Sequence, residues 1–208
     1  MSLTAVDWST IPAPRDDGGT AHLPGLAMPR VSLPATDGRA VDLTALAGLA
    51  VIYISPMTGR PDRALPDDWD ATPGARGCTP QSCAYRDQFA DLRARGVSHL
   101  FGLSTQGTDW QSEAVDRLHL PYALLSDADL SLTRALNLPT FQADGQTLLK
   151  RCTLILRDSV IAQVNYPVFP PIRTPPASSR GWTPRGPHDP DPRPRRWHRG
   201  CRCLLAIS

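Results

Sequence analysis

The chain has 208 residues, room for one domain of ordinary size with additional sequence around it, since domains cluster near about 100–150 residues. A net charge of only +2 excludes a protein built as a whole around nucleic acid or an acidic membrane surface. That average hides an asymmetry: residues 174–208 hold seven Arg, two Asp and no Lys or Glu, a net +5, which leaves −3 for residues 1–173.

The opening "MSLTAVDWSTIPAPRDDGG" has no basic region followed by an apolar run, so it does not read as a secretory signal, and residues 1–24 form an N-terminal extension. No stretch approaches the roughly 18 apolar residues of a membrane span, which gives the expectation of a cytosolic, reducing location without membrane contact. From about residue 25 to 171, strand-like and helix-like segments alternate, the pattern of an α/β domain. "RVSLPATDGRAVDLTAL" has two short alternating runs around Asp37-Gly38, a hairpin signal. "LAVIYISP", residues 49–56, is a continuous β-branched and apolar run, as expected of a strand buried on both faces and stopped by Pro56. Residues 57–77, rich in Gly, Pro and Asp, make an unusually long loop, and long loops are often functional.

The spacing predicts a helix over Thr79–Arg95, with Tyr85, Phe89 and Leu92 on one stripe and Gly96 as its stop. "VSHLFGLST" reads as the next strand, followed by a helix over 108–120 with Thr108 as N-cap and Pro121 beyond its end. "YALLSD" is a strand, "ADLSLTRAL" a short helix, and "RCTLILRDSVIAQVNYPV" a hairpin turning near Asp158-Ser159. From about residue 172 the sequence becomes Pro- and Arg-rich without apolar periodicity, the composition of a disordered basic tail. One Lys against twenty-one Arg suggests GC-rich codons, so a shifted reading frame or an unselected extension is one origin that fits this tail.

Cys78 and Cys83 stand five positions apart at the junction of the long loop and the helix behind it. At a helix N-terminus, unsatisfied N–H groups and the positive end of the dipole favour a thiolate, and neighbouring cations add to this. Arg76 is close in sequence, and Arg151 can approach in the fold. An exposed thiolate is oxidised by peroxide to a sulfenic acid, which a second thiol in reach condenses to a disulfide. Two Cα atoms five apart on a helix are separated by roughly 8–9 Å, beyond the ~7 Å limit for a disulfide, so bonding would first require the turn to unwind. The other reading is two packing residues that happen to be near each other. Spacing alone leaves both open.

The stretch "TPGARGCTPQSCAYRDQFADL", followed in order by "VSHLFGLST", "LPYALLSDADLSLTRAL" and "KRCTLIL", resembles the peroxiredoxins, most closely the Q-type or bacterioferritin-comigratory branch. The resemblance covers about residues 25–170. It implies a thioredoxin-like fold with a central mixed sheet flanked by helices. It further implies reduction of hydrogen peroxide and organic hydroperoxides without metal or organic cofactor, and recycling by a thioredoxin-like reductant. By position, Cys78 matches the peroxidatic cysteine, Cys83 the resolving cysteine, and Arg151 the arginine supporting the thiolate. The family's threonine three residues before the peroxidatic cysteine is here Ala75; Ala-Arg-Gly stands as an insertion after Thr72-Pro73-Gly74, which makes Thr72 the candidate for that role. A second departure is the tail, which offers no terminal helix. The oligomeric state, monomer or dimer, stays open.

The competing reading is a non-catalytic redox-responsive binding protein, a disulfide switch with a basic partner-binding tail. Cys152 lies in a strand and reads as core. Cys201 and Cys203, with His188 and His198, lack the C-x2-4-C spacing of a zinc site. Trp182 and Trp197 among tail arginines would give at most weak nucleic-acid binding. His99, His119, Trp110, Arg86 and Asp87 read as surface, packing or ion-pairing residues.

Overall fold

The computed structural model describes residues 6–172. In chain order, a hairpin of β1 (Ser32–Pro34) and β2 (Ala40–Asp42) turns at Asp37-Gly38, where Gly38 takes φ +81°. Then come β3 (Leu49–Ile54), α1 (Cys78–Asp87), α2 (Phe89–Ala94), β4 (Val97–Ser104), α3 (Thr108–Leu118), β5 (Leu124–Ser126) and α4 (Ser131–Leu136). Two further hairpins follow: β6 (Thr140–Ala143) with β7 (Gln146–Leu149), and β8 (Cys152–Arg157) with β9 (Val160–Asn165).

The main sheet is mixed, in the order β5-β4-β3-β8-β9; β3 runs parallel to β4 and antiparallel to β8. Its central strand explains the continuous apolar run. Ala50, Ile52 and Ile54 point into one core, with Leu103, Leu125, Leu132 and Leu154, while Val51 and Tyr53 point into a second under α1, α2 and α3. Both faces of β3 are covered, so both parities of its sequence must be apolar. Among the described residues no helix is long and apolar enough to cross a membrane.

Two local expectations need correcting, and one element is additional. The predicted helix over 79–95 begins at Cys78 and is interrupted at Gln88 (φ −101°, ψ 4°), giving α1 and α2. Gly96 is the stop, at φ +89°. Thr108 is the first helical residue of α3 and not its cap; extended Gly107 precedes it and no side chain caps the end. The β6–β7 hairpin, turning at Asp144-Gly145 (φ +49° and +69°), was not read from the sequence although it carries an Asp-Gly turn signal. The Asp158-Ser159 turn forms as expected, with φ of +49° and +62°.

The segment before residue 25 is packed on the domain. Leu23 is fully buried in the core, and the Asp17 carboxylate accepts from Lys150 Nζ (2.5 Å) and the Tyr166 hydroxyl (2.7 Å). These two bonds hold the Asp17 carboxyl well below the usual carboxylate range. The tail from residue 173 onward, with Cys201, Cys203, His188, His198, Trp182 and Trp197, lies outside the described residues, as do the expectations placed on it.

Candidate active site

The site forms where the long loop meets α1. Gly77 stands just before the helix at φ +106°, a left-handed conformation that glycine adopts without a Cβ penalty. A Cβ there would overlap Pro171 and meet the Trp8 ring at 2.9 Å, so the close packing of two distant segments also requires glycine. Cys78 follows as the first residue of α1.

Two donors converge on Cys78 Sγ. The Arg151 guanidinium lies 3.2 Å away through one terminal nitrogen, and the backbone N–H of Met57 is 3.4 Å away. The thiol's own proton can go to the Ala75 carbonyl at 3.6 Å. Arg151 is placed there by register: Cys152 pairs with Ile54, so the residue before it sits beyond the end of β3, beside the loop that carries Met57. Its side chain is 3% exposed and reaches only neutral oxygens besides the sulfur: the carbonyls of Gly74 (3.3 Å), Ala75 (3.1 Å) and Arg76 (3.2 Å), and Gln81 Oε1. Among the described residues, no carboxylate pairs with it. A thiolate at Cys78 would then be its countercharge, and charge-assisted hydrogen bonds of this type are about twice as strong as neutral ones.

Cys78 forms part of the wall of a cavity of about 410 Å³. Trp8, Met57 and Trp69 supply apolar lining; Arg60 and Arg117 also line it, each paired with a carboxylate, Asp62 and Glu113 respectively. The thiol is only 3% exposed, where the sequence suggested an exposed one; Trp8 and Pro171 pack closely against the neighbouring Gly77. Arg76 also lines the cavity, but its guanidinium is paired with Asp70 at 2.6 Å.

Thr72 is not brought into this site. Its hydroxyl donates to the Asp68 carbonyl (3.1 Å), inside a tight turn of the long loop, and it does not line the cavity. Ala75 is fully buried against Met57, Trp69 and Leu148. Of the described residues lining the cavity, Thr79 carries the only hydroxyl.

Cys83 is on the same helix as Cys78 but faces the second core, fully buried with Val51, Tyr53 and Tyr85. It is disulfide-bonded in this structure, with neither Cys78 nor Cys152, which are both free thiols. With both Cys78 and Cys83 in α1, the helical separation of roughly 8–9 Å applies. Beneath α1, Tyr53 Oη donates to Ser82 Oγ (3.0 Å) and Tyr122 Oη to the Ser82 carbonyl (2.7 Å). Cys152 is fully buried among apolar groups, and burial pushes its thiol up to about 12. Trp110 packs as expected, its indole N–H donating to the Thr58 carbonyl at 2.8 Å, and His99 stacks on Phe101. Among the described residues, no group of three or more His, Cys, Asp or Glu is placed to hold a metal ion. Sequence reading missed Gln81, Met57, Trp8 and Trp69; only Gln81, between the two cysteines, carried a local signal.

The family profile described as Redoxin matches residues 23–178, most of the chain. The chain belongs to the Redoxin family. This Redoxin chain is 31% identical over 144 residues to the putative chloroplastic peroxiredoxin Q of Oryza sativa subsp. indica, covering 68% of this chain and 58% of that one. It is 34% identical over 102 residues to peroxiredoxin Bcp of Escherichia coli K12, covering 49% and 55%. It thus spans little more than half the length of these curated relatives. Among solved structures, it is similar to peroxidoxin BcpB of Mycobacterium tuberculosis, at 22% identity and a TM-score of 0.54 over 69% of this chain and 85% of that one. Reduced Prx3 of Vibrio vulnificus in complex with hydrogen peroxide gives 18% and 0.54 over 68% and 85%. These two likenesses concern the fold, which is thioredoxin-like.

Proposed function

We propose that this chain is a thiol-dependent peroxidase acting on hydrogen peroxide and organic hydroperoxides. The observation that carries the reading is the convergence of the buried Arg151 guanidinium and the Met57 N–H on Cys78 Sγ beside an open cavity. In the first step, the Cys78 thiolate bonds to one peroxide oxygen, the O–O bond breaks, and the departing alkoxide or hydroxide takes a proton. Arg151 stabilises both the thiolate and the charge developing on the leaving oxygen. The sulfenic acid left on Cys78 is then attacked by Cys83, present as a thiol in the reduced protein, giving a disulfide and water. A thioredoxin-like dithiol returns both residues to thiols, and the cytosol, where such reductants are maintained, is the proposed location.

A second reading, a redox-responsive binding protein, draws support from Ala75 and from Thr72 being turned to Asp68, which leave no threonine in the family's position. Stopped-flow consumption of hydrogen peroxide by reduced protein separates the two. Consumption on a millisecond-to-second scale that disappears in Cys78→Ser, with two thiols lost per wild-type chain, is the expected result. Slow loss indifferent to Cys78→Ser would overturn the peroxidase reading in favour of the sensor.

A further inference from the structure

Three tyrosines are buried in the layer between α1 and the sheet, and two of them converge on one residue. Tyr53 on β3 and Tyr122 ahead of β5 hold their hydroxyls 3.2 Å apart. The first hydrogen-bonds the side chain of Ser82 and the second its backbone carbonyl. The third, Tyr85, turns its hydroxyl to Thr153 Oγ1 at 3.1 Å. The Tyr53 ring stacks on Tyr85 with centroids 4.4 Å apart and meets Tyr122 edge-on at 5.9 Å, so little freedom is left to either phenol. Burial pushes the Tyr53 phenol up to about 12 and the Tyr122 phenol well above its usual range, so both remain neutral donors. Ser82 is 1% exposed and lies between Cys78 and Cys83, in the turns that must unwind before those sulfurs can meet.

We propose that Tyr53 and Tyr122 are positioning residues that clamp Ser82 and so set the rate at which this part of α1 opens for the Cys78–Cys83 disulfide. Its relevance to turnover rests on the peroxidase reading. The clamp governs how long the sulfenic acid persists: a slow opening gives a second peroxide time to convert it to sulfinic acid, a fast one diverts it to the disulfide. Removing either phenol hydroxyl deletes a buried hydrogen bond to the folded turn and raises the open population.

The test starts from full-length protein reduced with dithiothreitol, then freed of reductant, and compares wild type with Tyr53→Phe, Tyr122→Phe and Tyr85→Phe. Closure is driven in two ways. Hydrogen peroxide proceeds through the sulfenic acid. Diamide adds one thiolate across its N=N bond, taking up a proton, and the second thiol then displaces the hydrazine to complete the disulfide, with no peroxidase chemistry involved. Cys78–Cys83 closure is scored by peptide mass. Tyr53→Phe and Tyr122→Phe are each expected to close roughly 3- to 10-fold faster with either oxidant. The second-order reaction of Cys78 with peroxide should stay within about 2-fold, and the sulfinic fraction at high peroxide should fall. Tyr85→Phe, which removes a hydroxyl bond in the same layer without touching Ser82, should close within about 2-fold of wild type. Ser82→Ala combined with Tyr53→Phe should add nothing to Tyr53→Phe, because both remove one bond. Unchanged closure in Tyr53→Phe and Tyr122→Phe, equal acceleration in Tyr85→Phe, or no closure in any variant overturns the clamp. Clamp-sensitive closure with diamide alongside a failure to consume peroxide sustains the clamp and removes the peroxidase reading instead.

Discussion

Cys78 and Cys152 are both free thiols, 3% and 0% exposed, and lie in opposite chemical settings. Cys78 opens a helix, with a guanidinium and an amide N–H on its sulfur; Cys152 opens β8, fully buried beside Leu154 and Ile54 in the core, and burial alone pushes it up to about 12. Burial alone therefore does not distinguish these two thiols. The difference lies in which polar groups were buried with each, because a low-dielectric site strengthens a paired charge and penalises an unpaired one.

The strongest way to break this contrast is to remove the cation. Arg151→Met is expected to slow the reaction of Cys78 with hydrogen peroxide, and its alkylation by iodoacetamide at pH 7, by roughly 10- to 100-fold, the value of one charge-assisted hydrogen bond. Rates within 2-fold of wild type would mean that the helix end and the Met57 amide suffice. A second test acts on the inert side. The folded-state value of Cys152 lies above that of a thiol in the unfolded chain, about 8.5, so the folded protein keeps a proton that the unfolded chain releases. That contribution is fully present below about pH 8.5 and is lost as the pH rises toward 12, about 3 kcal/mol by pH 10.5. Urea midpoints at pH 8 and 10.5 should show the loss, and Cys152→Ala should flatten it while lowering stability at pH 8 by about 1 kcal/mol. An equal slope in Cys152→Ala would place the alkaline loss elsewhere, with buried Tyr53, also near 12, the next group to examine. The smallest effect is expected at Thr72. With its hydroxyl on the Asp68 carbonyl, Thr72→Val should change peroxide kinetics by less than about 2-fold.

The parts of the molecule legible in the sequence are those with local causes. β3 declares itself because both its faces are covered, and the β8–β9 turn because Asp158-Ser159 sits between two apolar runs. The β6–β7 hairpin was hidden by its half-exposed flanks, where Gln142, Gln146 and Thr147 dilute the alternation. The break at Gln88 has no Gly or Pro to announce it. Within the site, Cys78 stands out by its place at the junction of loop and helix, and the roles of Cys78 and Arg151 follow from resemblance, whereas Met57 acts through its backbone, which no side-chain pattern reveals. The enclosure of Gly77, beside Cys78, depends on Trp8 and Pro171, contacts between residues far apart along the chain.

That enclosure has a consequence for biosynthesis. Gly77 is gripped by Trp8 from near the start of the chain and by Pro171 from beyond the last strand, and the sulfur beside it waits on Arg151. A nascent polypeptide that has left the ribosome only as far as β6 holds its cysteine with neither the guanidinium nor the proline in place. The proposed reactive centre is thus among the last features of the domain to be assembled, after every strand of the sheet that carries it has been translated.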